Sequence, residues 1–181
     1  KINKDLKILN IGRLTHQKDH MTLLRSLKLL KESNIKFKAN IIGGGYNYEL
    51  LKEYIKGHQL QKEIKLLGYK KNVHKFMNKA NLFVLSSKYE GLPNVLIEAQ
   101  KYNLPIISTN CPTGPKEILL NGKLGELYPV TDHKKLFHKI KGFYFNQKYL
   151  IRKSNLSQKY LYRFNAKTNC IKYLRIVKKY I

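Results

Sequence analysis

The sequence predicts an α/β fold, a doubly wound parallel sheet of about six strands with helices on both faces and a helical tail. Three observations carry that expectation. Short β-rich runs alternate with longer amphipathic stretches as far as residue 130. From Thr131 onward the pattern is helical only. A chain of 181 residues, 43% of them hydrophobic, has the size for one good core and is too short for two ordinary α/β domains.

Strands are expected at Lys7 to Ile11, Ala39 to Ile42, Ile64 to Leu67, Leu82 to Leu85, Ile106 to Ser108 and, short, Leu124 to Leu127. Leu23, Leu24, Leu27 and Leu30 mark one intervening helix by their spacing, and Leu50, Leu51, Tyr54 and Ile55 mark a second. Asn72 to Lys79 and Gly114 to Leu120 read as short helices. Val95, Leu96 and Ala99 mark the helix that follows the fourth strand. His133 to Phe145, Gln147 to Phe164 and Ala166 to Ile181 complete the chain. In the last of these, Ile171, Leu174, Val177 and Ile181 form one apolar face that asks for burial. The expected organisation is a single domain over 1–181, with a core at about 7–130 and a helical segment at about 131–181. Each crossover should be right-handed, and ligands on such sheets collect at the carboxyl ends of the strands.

Composition narrows the function. No run approaches the roughly 20 apolar residues of a spanning helix, and Lys1 to Leu9 has no signal-peptide core. A cytoplasmic location is the expectation. Cys111 and Cys170 lack metal or redox spacing, which fits a reducing compartment. The 36 basic and 11 acidic residues give +25, and residues 129–181 hold 14 Lys and Arg against Asp132 alone. A lysine-biased composition explains this as well as an anionic membrane or nucleic acid does.

The segment SSKYEGLPNVLIEA, Ser86 to Ala99, follows a strand and opens a helix. Pro93 suits a first helical turn, where its missing N–H costs nothing. The amides of Gly91, Leu92, Asn94 and Val95 then point out of the helix start, and with the macrodipole they form an anion site. Gly91 lets a ligand approach the main chain closely. Glu90 and Glu98 flank that site. A carboxylate beside a phosphate pocket accepts hydrogen bonds from hydroxyls, so the implied ligand is a phosphate flanked by polyols. On spacing alone the pair is weak, because two acids eight apart are common by chance.

ILNIGRLTHQKDH, Ile8 to His20, supplies opposite charge. Arg13 offers a planar fork and Lys18 a mobile point charge ahead of a helix capped near Asp19, and together they can neutralise a diphosphate. IIGGGYNYELL, Ile41 to Leu51, is half of a dinucleotide fingerprint, but Tyr48 stands where its third glycine belongs. A tight strand-to-helix turn explains it equally well.

As a set these segments resemble the C-terminal, donor-binding domain of the family 4 retaining glycosyltransferases, enzymes of two Rossmann-like halves in the GT-B architecture. The resemblance covers about residues 7–164. It rests on Gly12 to Leu14 with Lys18, the IIGGG turn, Leu67 to Tyr69, the pair Glu90 and Glu98, and NCPTGPKEIL, Asn110 to Leu119, with Gly122 and Gly125. It implies that Glu90 holds the donor sugar, Glu98 the ribose, and Arg13 with Lys18 the diphosphate. Gly12, Gly45, Tyr69 and the main chain from Gly91 through Leu92, Asn94 and Val95 would line the phosphate and base. It further implies a UDP- or GDP-sugar donor, no cofactor and no obligatory metal, consistent with the lack of a DxD motif or a His cluster. Catalysis would then be mainly electrostatic stabilisation of the departing diphosphate.

His16, His20, His58, His74, His133 and His138 are expected at the surface. The family's N-terminal domain, which carries most acceptor contacts, has no counterpart here. The chain is therefore expected to be half of an enzyme, unable to transfer sugar alone, with apolar surface exposed near its last helix. A sugar-nucleotide epimerase or hydrolase is an alternative within the fold. In another class, a basic α/β module could bind nucleic acid or an anionic membrane without catalysis. Nucleic acid is disfavoured, since no recognised motif is present and the basic residues are spread over many helices. Peripheral attachment to the inner face of a membrane suits lipid-linked acceptors.

Overall fold

The computed structural model describes residues 6–180, so the expected positions at Lys1 to Asp5 and at Ile181 lie outside the described residues. Six strands alternate with helices: β1 (Leu6–Ile11), α1 (His20–Glu32), β2 (Phe37–Ile42), α2 (Tyr48–Gly57), β3 (Ile64–Leu66), α3 (His74–Met77), β4 (Leu82–Leu85), α4 (Asn94–Lys101), β5 (Ile106–Thr109), α5 (Pro115–Ile118) and β6 (Glu126–Tyr128). The tail is α6 (His133–Phe145), α7 (Gln147–Gln158) and α8 (Ala166–Val177), with short 3-10 turns at His16–Lys18 and Leu161–Phe164.

The sheet is wholly parallel in the order β3-β2-β1-β4-β5-β6. The strand order reverses between β1 and β4, which opens a crevice at their carboxyl ends, the place where such sheets take ligands. Each face has its own core. Leu6, Ile8, Ala39, Ile41 and Val84 pack with α1, α2 and α6 through Leu23, Leu27, Leu51, Leu136 and Ile140. Leu9, Ile42, Phe83, Leu85 and Ile106 meet Met77, Leu96, Ile97 and Ile118 from α3, α4 and α5 on the other. Central strands buried on both faces explain why β4 is apolar throughout. The fold class is the expected one.

Glu126 ties the tail to the sheet. Its carboxylate accepts from Lys139 at 2.5 Å, from Lys153 and from Tyr149 at 3.0 Å. Burial pushes the Glu126 carboxyl up, but the hydrogen bonds from Lys139 and Lys153 outweigh it and hold it below the usual range.

Several expected elements differ in detail, among them α3 and α5, which are shorter than the spans expected for them. β2 begins two residues early, at Phe37. β6 begins two residues late, because Leu124 closes a turn onto Leu119 and Gly125 packs against the carbonyl of Ile106. The helix expected over Gln147 to Phe164 stops at Gln158. Tyr160, Leu161 and Phe164 then turn inward onto the second core, while Arg163 donates to the carbonyl of Glu117 at 2.9 Å. The face of Ile171 and Leu174 on α8 is exposed rather than buried, as expected if it leans on nothing within this chain.

Candidate functional site

Two loops meet at the crevice, one after β1 and one after β4. The first runs from Gly12 into α1. Asp19, in the left-handed region at φ 43°, caps that helix: its carboxylate accepts from the amide of Thr22 at 3.3 Å and from the Thr22 hydroxyl at 2.7 Å. That cap holds the preceding residue, Lys18, at the mouth of the crevice. The second loop presents Glu90. Lys18 Nζ donates to Glu90 Oε1 at 2.6 Å, and Ser87 Oγ donates to the same oxygen at 2.5 Å. Both partners are largely buried, with side-chain exposures of 16% and 6%. Two residues singled out from different segments therefore converge.

The main chain reinforces the meeting. The amide of Lys88 donates to the carbonyl of Gln17 at 2.8 Å, Gln17 Nε2 to that of Tyr89 at 3.0 Å, and Ser86 Oγ to that of Lys18 at 2.9 Å. The glycine turn after β2 joins them from the other side. Leu14 N donates to Gly44 at 2.8 Å, and Tyr46 accepts through its hydroxyl from the amide of His16 at 3.0 Å. A Cβ on Gly43 would stand 1.9 Å from the carbonyl oxygen of Gly12, and one on Gly45 2.5 Å from that of Leu14. The turn needs glycine because backbone meets backbone there. Gly45 thus braces the Arg13 loop. Gly12 leaves room for the Lys18 stem, whose Cδ would lie 3.4 Å from an added Cβ.

Helix α4 begins at Asn94, and Pro93 is its cap, at ψ 89°, rather than a residue of its first turn. Leu96 donates to the Pro93 carbonyl at 2.9 Å, whereas the amides of Gly91, Leu92, Asn94 and Val95 find no acceptor among the described residues. Those four donors stand at the helix start, where free amides and the helix dipole favour an anion. Nothing lies within 4 Å of a Cβ built on Gly91, so its open side meets no neighbour. The constrained glycine is Gly114, at φ 77°: a Cβ there would lie 2.2 Å from the Gly91 carbonyl oxygen and 2.5 Å from Pro93 Cδ. Pro112 accepts from the amide of Glu90 at 3.3 Å, and the Thr113 hydroxyl donates to its carbonyl. The β5 loop therefore props the β4 loop from behind, a role that no residue spacing signals.

The remaining expected residues stand around this centre. Glu98 lies on the second turn of α4, half-buried and without an ion pair among the described residues. Arg13 is exposed on the β1 loop and is not drawn into the Lys18–Glu90 pair. Tyr69 is 79% exposed after β3, where Gly68 accepts from the amide of Gly43 at 3.0 Å. A cleft of about 610 Å³, lined by Cys111, Thr113, Lys116, Asn121 and Arg163 among others, opens beside the propping loop.

His20 departs from expectation. It is buried, 2% exposed, with no partner for either ring nitrogen. Burial first, and the nearby Lys18 charge second, lower its pKa to about 4, so the ring is neutral at physiological pH. Burial likewise pushes the Cys111 thiol up, as does the neighbouring Glu90 carboxylate. Among the described residues no group of three His, Cys, Asp or Glu is placed to hold a metal ion.

Fold and site define an α/β domain with the Lys18–Glu90 pair and a row of free amides at its topological switch point. The chain belongs to the group 1 glycosyl transferases, whose family profile matches residues 1–159. It is 50% identical over 111 residues to an uncharacterized glycosyltransferase of Methanocaldococcus jannaschii, covering 61% of this chain and 27% of the relative. It is 33% identical over 138 residues to the Campylobacter jejuni N-acetylgalactosamine-N,N'-diacetylbacillosaminyl-diphospho-undecaprenol 4-alpha-N-acetylgalactosaminyltransferase, covering 76% and 37%. Among solved structures, HepE of Anabaena in complex with UDP superimposes with a TM-score of 0.87 at 18% identity, over 98% of this chain and 50% of that one. TarM of S. aureus gives 0.86 at 21%, over 97% and 35%. These likenesses establish the fold as that of a GT-B glycosyltransferase domain. The chain spans about a third of the length of the curated relatives it matches.

Proposed function

We propose that this chain is the donor-binding domain of a retaining glycosyltransferase that moves a hexosyl unit from a nucleoside diphosphate sugar, UDP- or GDP-linked, to a polysaccharide or lipid-linked glycan. The observation that carries the reading is the Lys18–Glu90 pair beside four unpaired amides at the start of α4. An ammonium has three donors and Glu90 engages one, so two remain for phosphate oxygens. The amides bind the same diphosphate, and the charge that develops on it during bond cleavage is stabilised where it forms. Glu90 keeps a second oxygen for sugar hydroxyls, Glu98 serves the ribose, and Arg13 swings in from the rim. Retention of configuration rests on the family resemblance.

The acceptor class is supported by the relatives. One is named for amylovoran biosynthesis, and the Campylobacter enzyme's name specifies a diphospho-undecaprenol acceptor. A second, N-terminal domain would supply acceptor contacts, so sugar transfer by this chain alone is not expected. A cytoplasmic site of action fits a soluble nucleotide-sugar donor.

Calorimetric titration with UDP, GDP and ADP tests the reading, repeated on Lys18→Ala, Arg13→Ala and Glu98→Ala. Weakened binding in the Lys18 and Glu98 variants supports it. Unchanged affinity in all three would place the nucleotide elsewhere, and product analysis in the full-length enzyme separates transfer from epimerisation or hydrolysis.

A further inference from the structure

Among the described residues, the sheet face that carries α3 and α4 is open at the amino ends of β1, β2 and β3. Side chains alternate along a strand, so Lys7, Lys38, Asn40 and Lys65 share this face with the buried Leu9 and Ile42. With only four residues in α3, these positions line a trough of about 1060 Å³. Five lysines stand in it, Lys7, Lys38, Lys62, Lys65 and Lys79, against the single acid Glu63. Glu63 is engaged by Lys31 at 3.4 Å from outside the trough.

Doubly wound sheets ordinarily carry apolar residues under a helix on such a face. Here Lys7 and Lys38 are register partners on adjacent strands, about 4.8 Å apart at Cα, and like charges so placed repel. Lys38 Nζ donates to the Lys62 carbonyl at 2.5 Å, while the ammonium groups of Lys7, Lys65 and Lys79 have no partner among the described residues. A concave wall concentrates the field of unpaired cations, so the trough attracts anions more strongly than a convex lysine patch would.

We propose that this trough docks the chain on an anionic lipid surface, with headgroup phosphates entering between the lysines. Clusters of this size are the ordinary means of holding a protein to an acidic leaflet. Nucleic acid fits the chemistry less well. The cations are all Lys, without the Arg fork that reads bases, and Phe76 is half-buried and not an exposed stacking platform. The trough lies at the opposite end of the strands from the crevice, so docking leaves the donor site open. The inference rests on this charge arrangement and is independent of the sugar-transfer reading.

Cosedimentation with vesicles of phosphatidylglycerol and phosphatidylcholine, against phosphatidylcholine alone, tests it at physiological salt. The triple variant Lys38→Gln, Lys65→Gln, Lys79→Gln should lose partitioning on the order of a hundredfold. The triple Lys172→Gln, Lys178→Gln, Lys179→Gln on and just beyond α8, with the same net charge, should change it less than about threefold. The charge-keeping variant Lys38→Arg, Lys65→Arg, Lys79→Arg should bind as the parent does. Equal losses from both Gln triples, loss in the Arg triple, saturation of the trough by inorganic phosphate without vesicle binding, or a preference for single-stranded oligonucleotides would each overturn the proposal. Nucleotide titration on the trough triple, expected to match the parent, keeps this outcome separate from that of the donor site.

Discussion

His20 gives the chain an acid sensitivity whose size can be worked out. In the unfolded chain its imidazole titrates at the ordinary 6.5, whereas in the fold burial and Lys18 lower that to about 4. Between those values the unfolded state binds the extra proton, so stability is full above pH 6.5 and falls as the pH drops toward 4. At 1.36 kcal/mol per unit, the loss reaches about 2 kcal/mol at pH 5 and about 3 kcal/mol near pH 4. That is a large part of the 5–15 kcal/mol typical of a domain. His20→Leu, of similar volume and unable to protonate, removes the term. Urea unfolding of both proteins from pH 7.5 to 4.5 should show the difference between them shifting by about 2 kcal/mol in favour of the variant as the pH passes from 6.5 to 5. Curves that stay parallel through that window would refute the placement of an unpartnered, neutral ring beneath Lys18.

Four further outcomes follow from the geometry. Gly114→Ala forces a methyl group against the Gly91 carbonyl at a positive φ, so a loss of at least about 2 kcal/mol in thermal or urea unfolding is expected, together with weakened UDP binding. Lys18→Gln removes one charge-assisted partner of phosphate, and calorimetry should report UDP affinity lower by roughly 10- to 100-fold. Glu126→Gln weakens the tie between β6, α6 and α7; because the Glu126 carboxyl is held low, its contribution is present above the ordinary carboxylate range and lost as pH falls below it, so the variant should differ from the parent at neutral pH and converge with it in acid in urea unfolding. Ile171→Ser with Leu174→Ser, on a helix with no buried residue, should shift the stability of this chain by less than about 0.5 kcal/mol by melting.

Much of this was legible before any coordinates, for reasons that differ by element. Buried strands such as β4 and β5 are short apolar runs between punctuating residues, and their positions matched because both faces of a parallel sheet demand it. The resemblance put Lys18 and Glu90 in one site, whereas their direct ion pair is a finding of the structure alone. Three features were not legible. The break at Gln158 depends on where Tyr160 and Phe164 land in the second core, which no local period encodes. The burial of His20 is set by tertiary packing, because a polar residue in a first turn reads as exposed. The bracing role of Gly114 depends on the approach of a segment more than twenty residues away.

The crevice is held together chiefly by main-chain groups: carbonyls of Gln17, Lys18, Tyr89, Glu90 and Pro112 each take a hydrogen bond from a neighbouring loop. The acceptors are peptide groups common to all residue types, but three of the five donors are the side chains of Gln17, Ser86 and Thr113, so the frame depends on those residues and tolerates changes elsewhere on the loops. Exposed rim positions such as Tyr69 stand outside this frame, so exchanging them leaves the loops joined. Varying the rim and keeping the frame are then separate problems for the same small fold.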